Sequence, residues 1–84
     1  MATNGEVLKV LMQKHQLDKY KISEICSVTP PAVDTWRSSK PTDMPDGLLD
    51  LLGYWLVYTH PDKPYGRSMN RYQKELEQIR ASLS

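Results

Sequence analysis

The sequence predicts a small all-α protein of about five helices. Several stretches carry apolar residues three and four positions apart, as the buried face of a helix requires. Prolines, glycines and polar residues that favour helix caps separate these stretches. At 84 residues the chain is long enough for one domain with one modest core. We expect residues 1–60 to form that core and residues 61–84 to supply a last helix, which packs on the core or on a second subunit.

The first two helices are predicted from their periodicity and from one cap. Residues 6–16 place Leu8 and Leu11 on one face of a helix. Asp18 belongs to the residue types that favour the N-cap position, and it precedes a second short helix over residues 19–26. The buried face of that second helix is expected to comprise Ile22, Ile25 and Cys26.

The start of the third helix is the clearest boundary in the chain. Ser27 interrupts the helical pattern of the preceding residues. Thr29 is suited to cap a helix whose first residue is Pro30. A backbone N–H at that first position would have no partner within the helix, so proline costs little there. We expect Val33 and Trp36 to hold this helix on the core.

The last two helices are predicted from their apolar residues, which are closely spaced in the fourth helix and three or four positions apart in the fifth. Asp46 is suited to cap a helix that extends to about Thr59 and has almost no polar face. The interval 67–83 repeats apolar residues three and four apart on a charged background. Either helix can belong to the core of one chain or cover a second copy, since large apolar patches are rare on monomers. A β-hairpin through Val57 to Tyr72 is a further alternative, favoured by the β-formers at its start.

Charge, cysteine content and hydropathy bear on the class of protein. Eleven basic residues against ten acidic ones give a net charge of +1, which by itself does not indicate nucleic-acid binding. The lone Cys26 cannot form an internal disulfide, and no apolar stretch reaches the roughly 18 residues of a membrane span. His15 and His60 have no further ligand at a metal-binding spacing, and no phosphate loop or catalytic constellation is present. We expect a cytoplasmic protein that is not an enzyme, with no cofactor, no small-molecule ligand and no membrane partner.

The stretch from Lys19 to Arg37 resembles the helix-turn-helix of the lambda-repressor-like family, also known as Cro/CI or XRE. The residues that carry the resemblance are Ile22, Ser23, Cys26, Ser27, Val28, Val33 and Trp36. Ser23 and Ser27 depart from the family pattern, which usually has Ala and Gly at these places. The glycine position often requires a positive φ, which is costly for any residue with a side chain. The resemblance is most specific over residues 17–37 and extends to about residue 56.

The resemblance implies binding to double-stranded DNA, with the third helix in the major groove. The residues that would meet base edges are Pro30, Pro31, Asp34 and Thr35. The residues that would meet phosphates are Lys19, Thr29, Arg37, Ser38, Ser39 and Lys40. The two prolines offer only apolar surface, which suits thymine methyl groups, whereas the other two base-reading residues can form hydrogen bonds.

The function implied is a sequence-specific repressor of a phage or mobile element, which occupies its operator as a homodimer. The residues expected at the dimer surface are Trp55, Tyr58, Met69, Tyr72, Leu76 and Ile79. The near-neutral charge leaves a second hypothesis open. In that hypothesis the same scaffold is a protein-interaction module, such as an antirepressor or an adaptor.

Overall fold

The computed structural model describes residues 3–38, 43–59 and 65–83, and within these ranges it contains helices and no strands. The helices are α1 (Asn4–Lys14), α2 (Lys19–Cys26), α3 (Pro30–Arg37), α4 (Asp46–Tyr58) and α5 (Met69–Leu83). The prediction of an all-α protein with about five helices is therefore confirmed. The β-hairpin alternative is wrong, because its first residue, Val57, lies inside α4 and its last, Tyr72, inside α5. None of these helices is both long enough and apolar enough to cross a membrane.

The first helix begins and ends two residues earlier than its periodicity predicts. Thr3 is the N-cap, and its side chain accepts a hydrogen bond from the backbone N–H of Glu6 at 3.1 Å. The Glu6 carboxylate in turn accepts from the N–H of Thr3 at 3.1 Å, which completes a capping box. At the other end Gln16 has a φ of 56°, so the chain leaves the helical path after Lys14.

The second and third helices have the predicted starts and are joined by a tight turn. Asp18 caps α2, as predicted, by accepting a hydrogen bond from the N–H of Lys21 at 2.8 Å. Ser27 adopts the left-handed conformation with φ 56° and ψ 44°, in which glycine would be less strained. Thr29 occupies the N-cap position of α3, but its side chain forms no capping hydrogen bond. The chain therefore passes from α2 to α3 through residues 27–29.

The starts of α4 and α5 differ from the predictions for local backbone reasons. Asp46 is the first residue of α4 and not its cap, so that part of the prediction is wrong. Pro45 holds the N-cap position, and its carbonyl oxygen accepts from two N–H groups of the first turn at 3.1 and 3.3 Å. The last helix begins two residues later than predicted, because Gly66 and Arg67 have positive φ values of 55° and 62°.

All five helices contribute to one core. The third helix packs against α1 and α2, the fourth against α1, α2 and α5, and the fifth also against α1. Side chains with no exposed surface include Val7, Leu8, Leu11, Ile22, Val33, Leu52, Leu56 and Tyr72. Cys26 is buried among them as a small apolar residue, and burial raises the pKa of its thiol.

The fifth helix packs on α1 and α4 of its own chain, so the apolar residues that repeat along it belong to the core of that chain. Tyr72, Leu76 and Ile79 are buried inside a single chain. They are therefore not available to a second copy, and this corrects the prediction that they form a dimer surface. The Tyr72 hydroxyl donates to the carbonyl oxygen of Leu49 at 2.7 Å, and burial raises its pKa. Its ring occupies a notch at Gly53, where an added Cβ would lie 2.2 Å from a ring carbon.

The N-terminus of α1 touches the C-terminal end of α3 through its backbone. A Cβ added at Gly5 would lie 1.8 Å from the carbonyl oxygen of Trp36, a distance that no side chain can occupy. Only glycine allows this approach of the two helices. The position of α3 on the core therefore depends on the absence of a side chain at Gly5.

Gly5→Ala is expected to destabilise the fold by about 1 to 3 kcal/mol or more, because the obstructing atom belongs to the backbone and cannot rotate away. Gly47→Ala is the matched control, since nothing lies within 4 Å of a Cβ at that exposed helical position. The control should stabilise by up to about 1 kcal/mol through helix propensity. Urea unfolding followed by circular dichroism measures both variants. Equal stabilities of the two would contradict the close contact.

Asp43 joins the start of α1 to the segment that precedes α4. Its carboxylate accepts hydrogen bonds from the backbone N–H groups of Asn4 at 3.0 Å, Gly5 at 2.7 Å and Met44 at 2.8 Å. Burial alone would raise the pKa of this carboxyl group. The three backbone hydrogen bonds and the positive charge of Arg80 outweigh burial, so that the pKa lies below its ordinary value.

Asp43→Ala is expected to cost about 1 kcal/mol at neutral pH, as the loss of a helix cap does. The folded-state pKa is lower than the unfolded one, so this stabilisation is complete above about pH 4 and is lost as pH falls through the folded-state pKa. The difference in free energy of unfolding between wild type and variant should therefore shrink in acid. Glu77→Ala, on the exposed face of α5, is the control and should stay near the wild type throughout. A difference for Asp43→Ala that does not depend on pH would contradict the role of the carboxylate.

Candidate nucleic-acid interface

The third helix has one face in the core and one face outside. Val33 is fully buried and Trp36 is 7% exposed, so these two side chains hold α3 in place as predicted. Pro31, Asp34 and Thr35 lie on the opposite side and are exposed. Three of the four residues predicted to read bases therefore share one outward face of α3.

The first turn of α3 is unusual because two prolines follow the N-cap. Pro30, the fourth predicted base reader, is half-buried at the edge of the outward face, while Pro31 and Thr29 are exposed. Neither proline has a backbone N–H, so the turn lacks two of the donors with which a helix N-terminus binds an anion. This end of α3 can contact apolar groups, and a phosphate must be bound by side chains from elsewhere.

The Asp34 carboxylate is engaged by two of the predicted phosphate-binding residues. It lies 3.1 Å from Nζ of Lys19 and 3.8 Å from Nη1 of Arg37. The three side chains are between 35% and 48% exposed, so these ion pairs add little to stability. Their effect is on position, since they hold two cations beside the outward face of α3. A base that contacted Asp34 would have to share the carboxylate oxygens with these two cations.

The Thr35 side chain is oriented by its own helix. Its hydroxyl donates to the carbonyl oxygen of Pro31 at 3.0 Å, which fixes its rotamer. The residue is exposed, and the hydroxyl oxygen can still accept a hydrogen bond. The Ser38 hydroxyl at the end of α3 likewise donates to the carbonyl of Thr35 at 2.9 Å. The Thr35 side chain is thus held in one orientation on this face.

An open groove runs between α1, the start of α2 and α3. Its charged lining comprises the cations Lys9, Lys19 and Arg37 and the acids Asp18 and Asp34. The Nε atom of Arg37 is buried and has no hydrogen-bond partner among the described residues. Lys9 was not predicted to belong to the site, because its position on the polar face of α1 marks it as a surface residue and only the packing of α1 against α3 brings it here.

The other predicted site residues are spread more widely. Thr29 and Ser38 lie at opposite ends of α3, while Ser39 and Lys40 fall outside the described residues. Within ranges 3–38, 43–59 and 65–83 no three acidic, histidine or cysteine residues form a group that could hold a metal ion. His15 is engaged elsewhere, by a contact of 2.9 Å between its Nε2 atom and the Tyr65 hydroxyl.

Comparisons of this chain with protein-family models, with curated proteins and with solved structures gave no match. The class that the structure defines is a small all-helical protein of five helices in its described part. The lambda-repressor-like resemblance therefore remains a prediction from the residues of the α2–α3 region.

Asp34→Asn tests the electrostatics of this surface directly. Removing the negative charge between Lys19 and Arg37 should tighten binding to a random-sequence DNA duplex at low salt by about three- to tenfold. Glu77→Gln is the matched control, because it removes the same charge from an exposed acid on α5, away from this surface. Fluorescence anisotropy of a labelled duplex at two salt concentrations measures both. An affinity for Asp34→Asn no higher than that of the control would show that the groove does not face phosphate.

Proposed function

We propose that this protein is a sequence-specific regulator of transcription that binds double-stranded DNA through a lambda-repressor-like helix-turn-helix. The second and third helices form the motif, and α3 enters the major groove. The observation that carries the proposal is the division of α3 into two faces. Val33 and Trp36 lock one face into the core, while Pro31, Asp34 and Thr35 are exposed on the other.

Within this proposal, affinity and selectivity come from different side chains. Lys19 and Arg37, with Lys9 beside them, supply positive charge for phosphates and so position the protein on any sequence. Thr35 reads a base edge by accepting a hydrogen bond or by methyl contact, and Pro31 contacts thymine methyl groups. Asp34 orients the two cations and limits their pull on phosphate. Because α3 presents few hydrogen-bond donors to the major groove, DNA shape adds to the selectivity.

The mode of action that we propose is occupancy of an operator by a homodimer. Two copies related by a twofold axis present two α3 helices to half-sites about 34 Å apart on one face of the duplex. This is the arrangement of small repressors encoded by phages and other mobile elements.

A second candidate function is a protein-interaction module on the same scaffold. The observation that favours it is that Lys19 and Arg37 are both paired with the Asp34 carboxylate, which lowers their combined charge to +1, in a chain whose net charge is also +1. A surface so balanced has little attraction for phosphate at physiological salt. The salt dependence of DNA binding separates the two candidates.

The test is a selection of binding sites from random duplex DNA, followed by variants measured on the recovered sequence. Arg37→Ala should lower affinity for all sequences alike and reduce the slope of log affinity against log salt by about 0.9 per phosphate contact. Thr35→Ala should leave that slope unchanged and alter the preferred base at one position by up to about 1 to 3 kcal/mol. Lys74→Ala, which removes an exposed charge from α5, is the control and should change neither. Failure to enrich any sequence would favour the interaction module.

A further inference from the structure

The outer face of α4 is an apolar surface that the core does not use. Leu51, Tyr54 and Tyr58 are 41%, 53% and 46% exposed. Together with Gly47 they follow one another at steps of four, three and four residues. This is the spacing of the contact line between two paired helices. Gly47, Leu51, Tyr54 and Tyr58 are termed the α4 seam below.

The charges around the α4 seam indicate what can bind to it. The seam itself carries no charge, and the exposed acids Asp46 and Asp50 stand beside its N-terminal half. Negative charge there repels phosphate, which disfavours both DNA and an anionic membrane as the occupant. The rings of Tyr54 and Tyr58 are stacked, with centroids 6.1 Å apart and planes inclined by 20°. They form a flat, uncharged surface suited to another helix.

We propose that the α4 seam docks a second copy of this chain, with the two α4 helices antiparallel about a twofold axis. The shape of the seam decides the direction. Gly47 at one end has no side chain and open space around it, whereas Tyr58 at the other end presents a large exposed ring. Antiparallel pairing places each Tyr58 over the Gly47 of the other copy and each Leu51 against a Tyr54. In a parallel pair the two Tyr58 rings would face each other at one end and the two Gly47 residues at the other. The two helices would then lie farther apart at the tyrosine end than at the glycine end.

The charges along the edge of the seam that faces α2 are also suited to contact the same edge of a second copy. Lys21 lies 5.8 Å from the centre of the Trp55 ring and 3.8 Å from the carboxylate of Glu24. In an antiparallel pair the α2 edges of the two copies face each other. Lys21 of each copy then approaches Glu24 of the other, so that opposite charges meet twice across the twofold axis.

The size of the seam indicates a weak dimer. Half-exposed aromatic and leucine side chains supply about 300 Å² in total, since a fully buried aromatic covers about 150 to 250 Å². A stable interface covers about 800 Å² on each partner. We therefore infer a dissociation constant on the order of 100 µM. The inference deepens the homodimer part of the proposed function and does not use DNA binding. In place of the predicted α5 residues, of which Met69 is half-buried and the other three are buried, it uses Leu51 and Tyr54, and it keeps Tyr58 and the half-buried Trp55.

Sedimentation equilibrium of the whole chain, without DNA, tests the inference. The wild type should be mostly dimeric at about 500 µM, and Leu51→Glu should weaken association at least about 50-fold by placing two charges in the seam. Leu83→Glu is the matched control, because Leu83 is a leucine of similar exposure (38%) on α5, and its association should stay within about twofold of the wild type. Both substitutions are at exposed sites, so both variants should melt close to the wild type. A monomeric wild type, or a Leu51→Glu variant that dimerises like the wild type, would overturn the proposal.

The direction of pairing is tested by mixing two single-cysteine additions. Gly47→Cys and Tyr58→Cys chains, combined under mild oxidation, should give the mixed disulfide well above its statistical share. An excess of the two homodisulfides would overturn the antiparallel arrangement. Buried Cys26 is common to both chains and serves as an internal control. Because neither experiment contains DNA, a chain that dimerises through the seam but selects no duplex sequence would contradict the proposed function alone.

Discussion

The contact between the N-terminus of α1 and the C-terminal end of α3 is the constraint on which the rest of the structure depends. At Gly5 the two backbones touch, and the Asp43 carboxylate holds the same turn of α1 by its N–H groups. Asn4 extends the junction, since its side chain donates to the carbonyl of Met44 at 2.9 Å and accepts from Arg80 of α5 at 3.0 Å. The start of α1 thus ties together α3, the approach to α4, and α5. The orientation of α3, the helix that we propose to read DNA, is therefore set by residues that we do not propose to contact DNA.

The sequence predicted those features that are encoded locally. Asp18 and Pro30 marked the starts of α2 and α3, and the pairing of Val33 with Trp36 marked the buried face of α3. What it could not predict depends on distant residues. The cap that Asp43 provides joins positions 38 and 39 residues apart, and no pattern within one helix reveals such a bond. The same holds for the stripe on α5, whose spacing suits a core helix and a dimer helix equally well until its neighbours are known.

The arrangement of charge shows how a chain of nearly neutral composition can concentrate cations on the surface that we propose to meet phosphate. Lys19, Arg37 and Lys9 come from three different helices and meet beside the outward face of α3. Asp34 stands between the first two and restrains them. Weak non-specific attraction is an advantage for a sequence-specific regulator, because competing sites in genomic DNA are so numerous. The α4 seam lies on another helix, so that the proposed DNA binding and the proposed self-association can be tested separately.

The most direct test of the central claim, that the outward face of α3 reads DNA, is a nuclear magnetic resonance titration of the nitrogen-15-labelled protein with a duplex recovered by selection. The account predicts that the backbone amides that shift most lie in residues 19–21 and 32–38, since Pro30 and Pro31 have no N–H to observe. Residues of α5 should shift little. Shifts centred on α4 and α5, with those of residues 32–38 unchanged, would contradict the account.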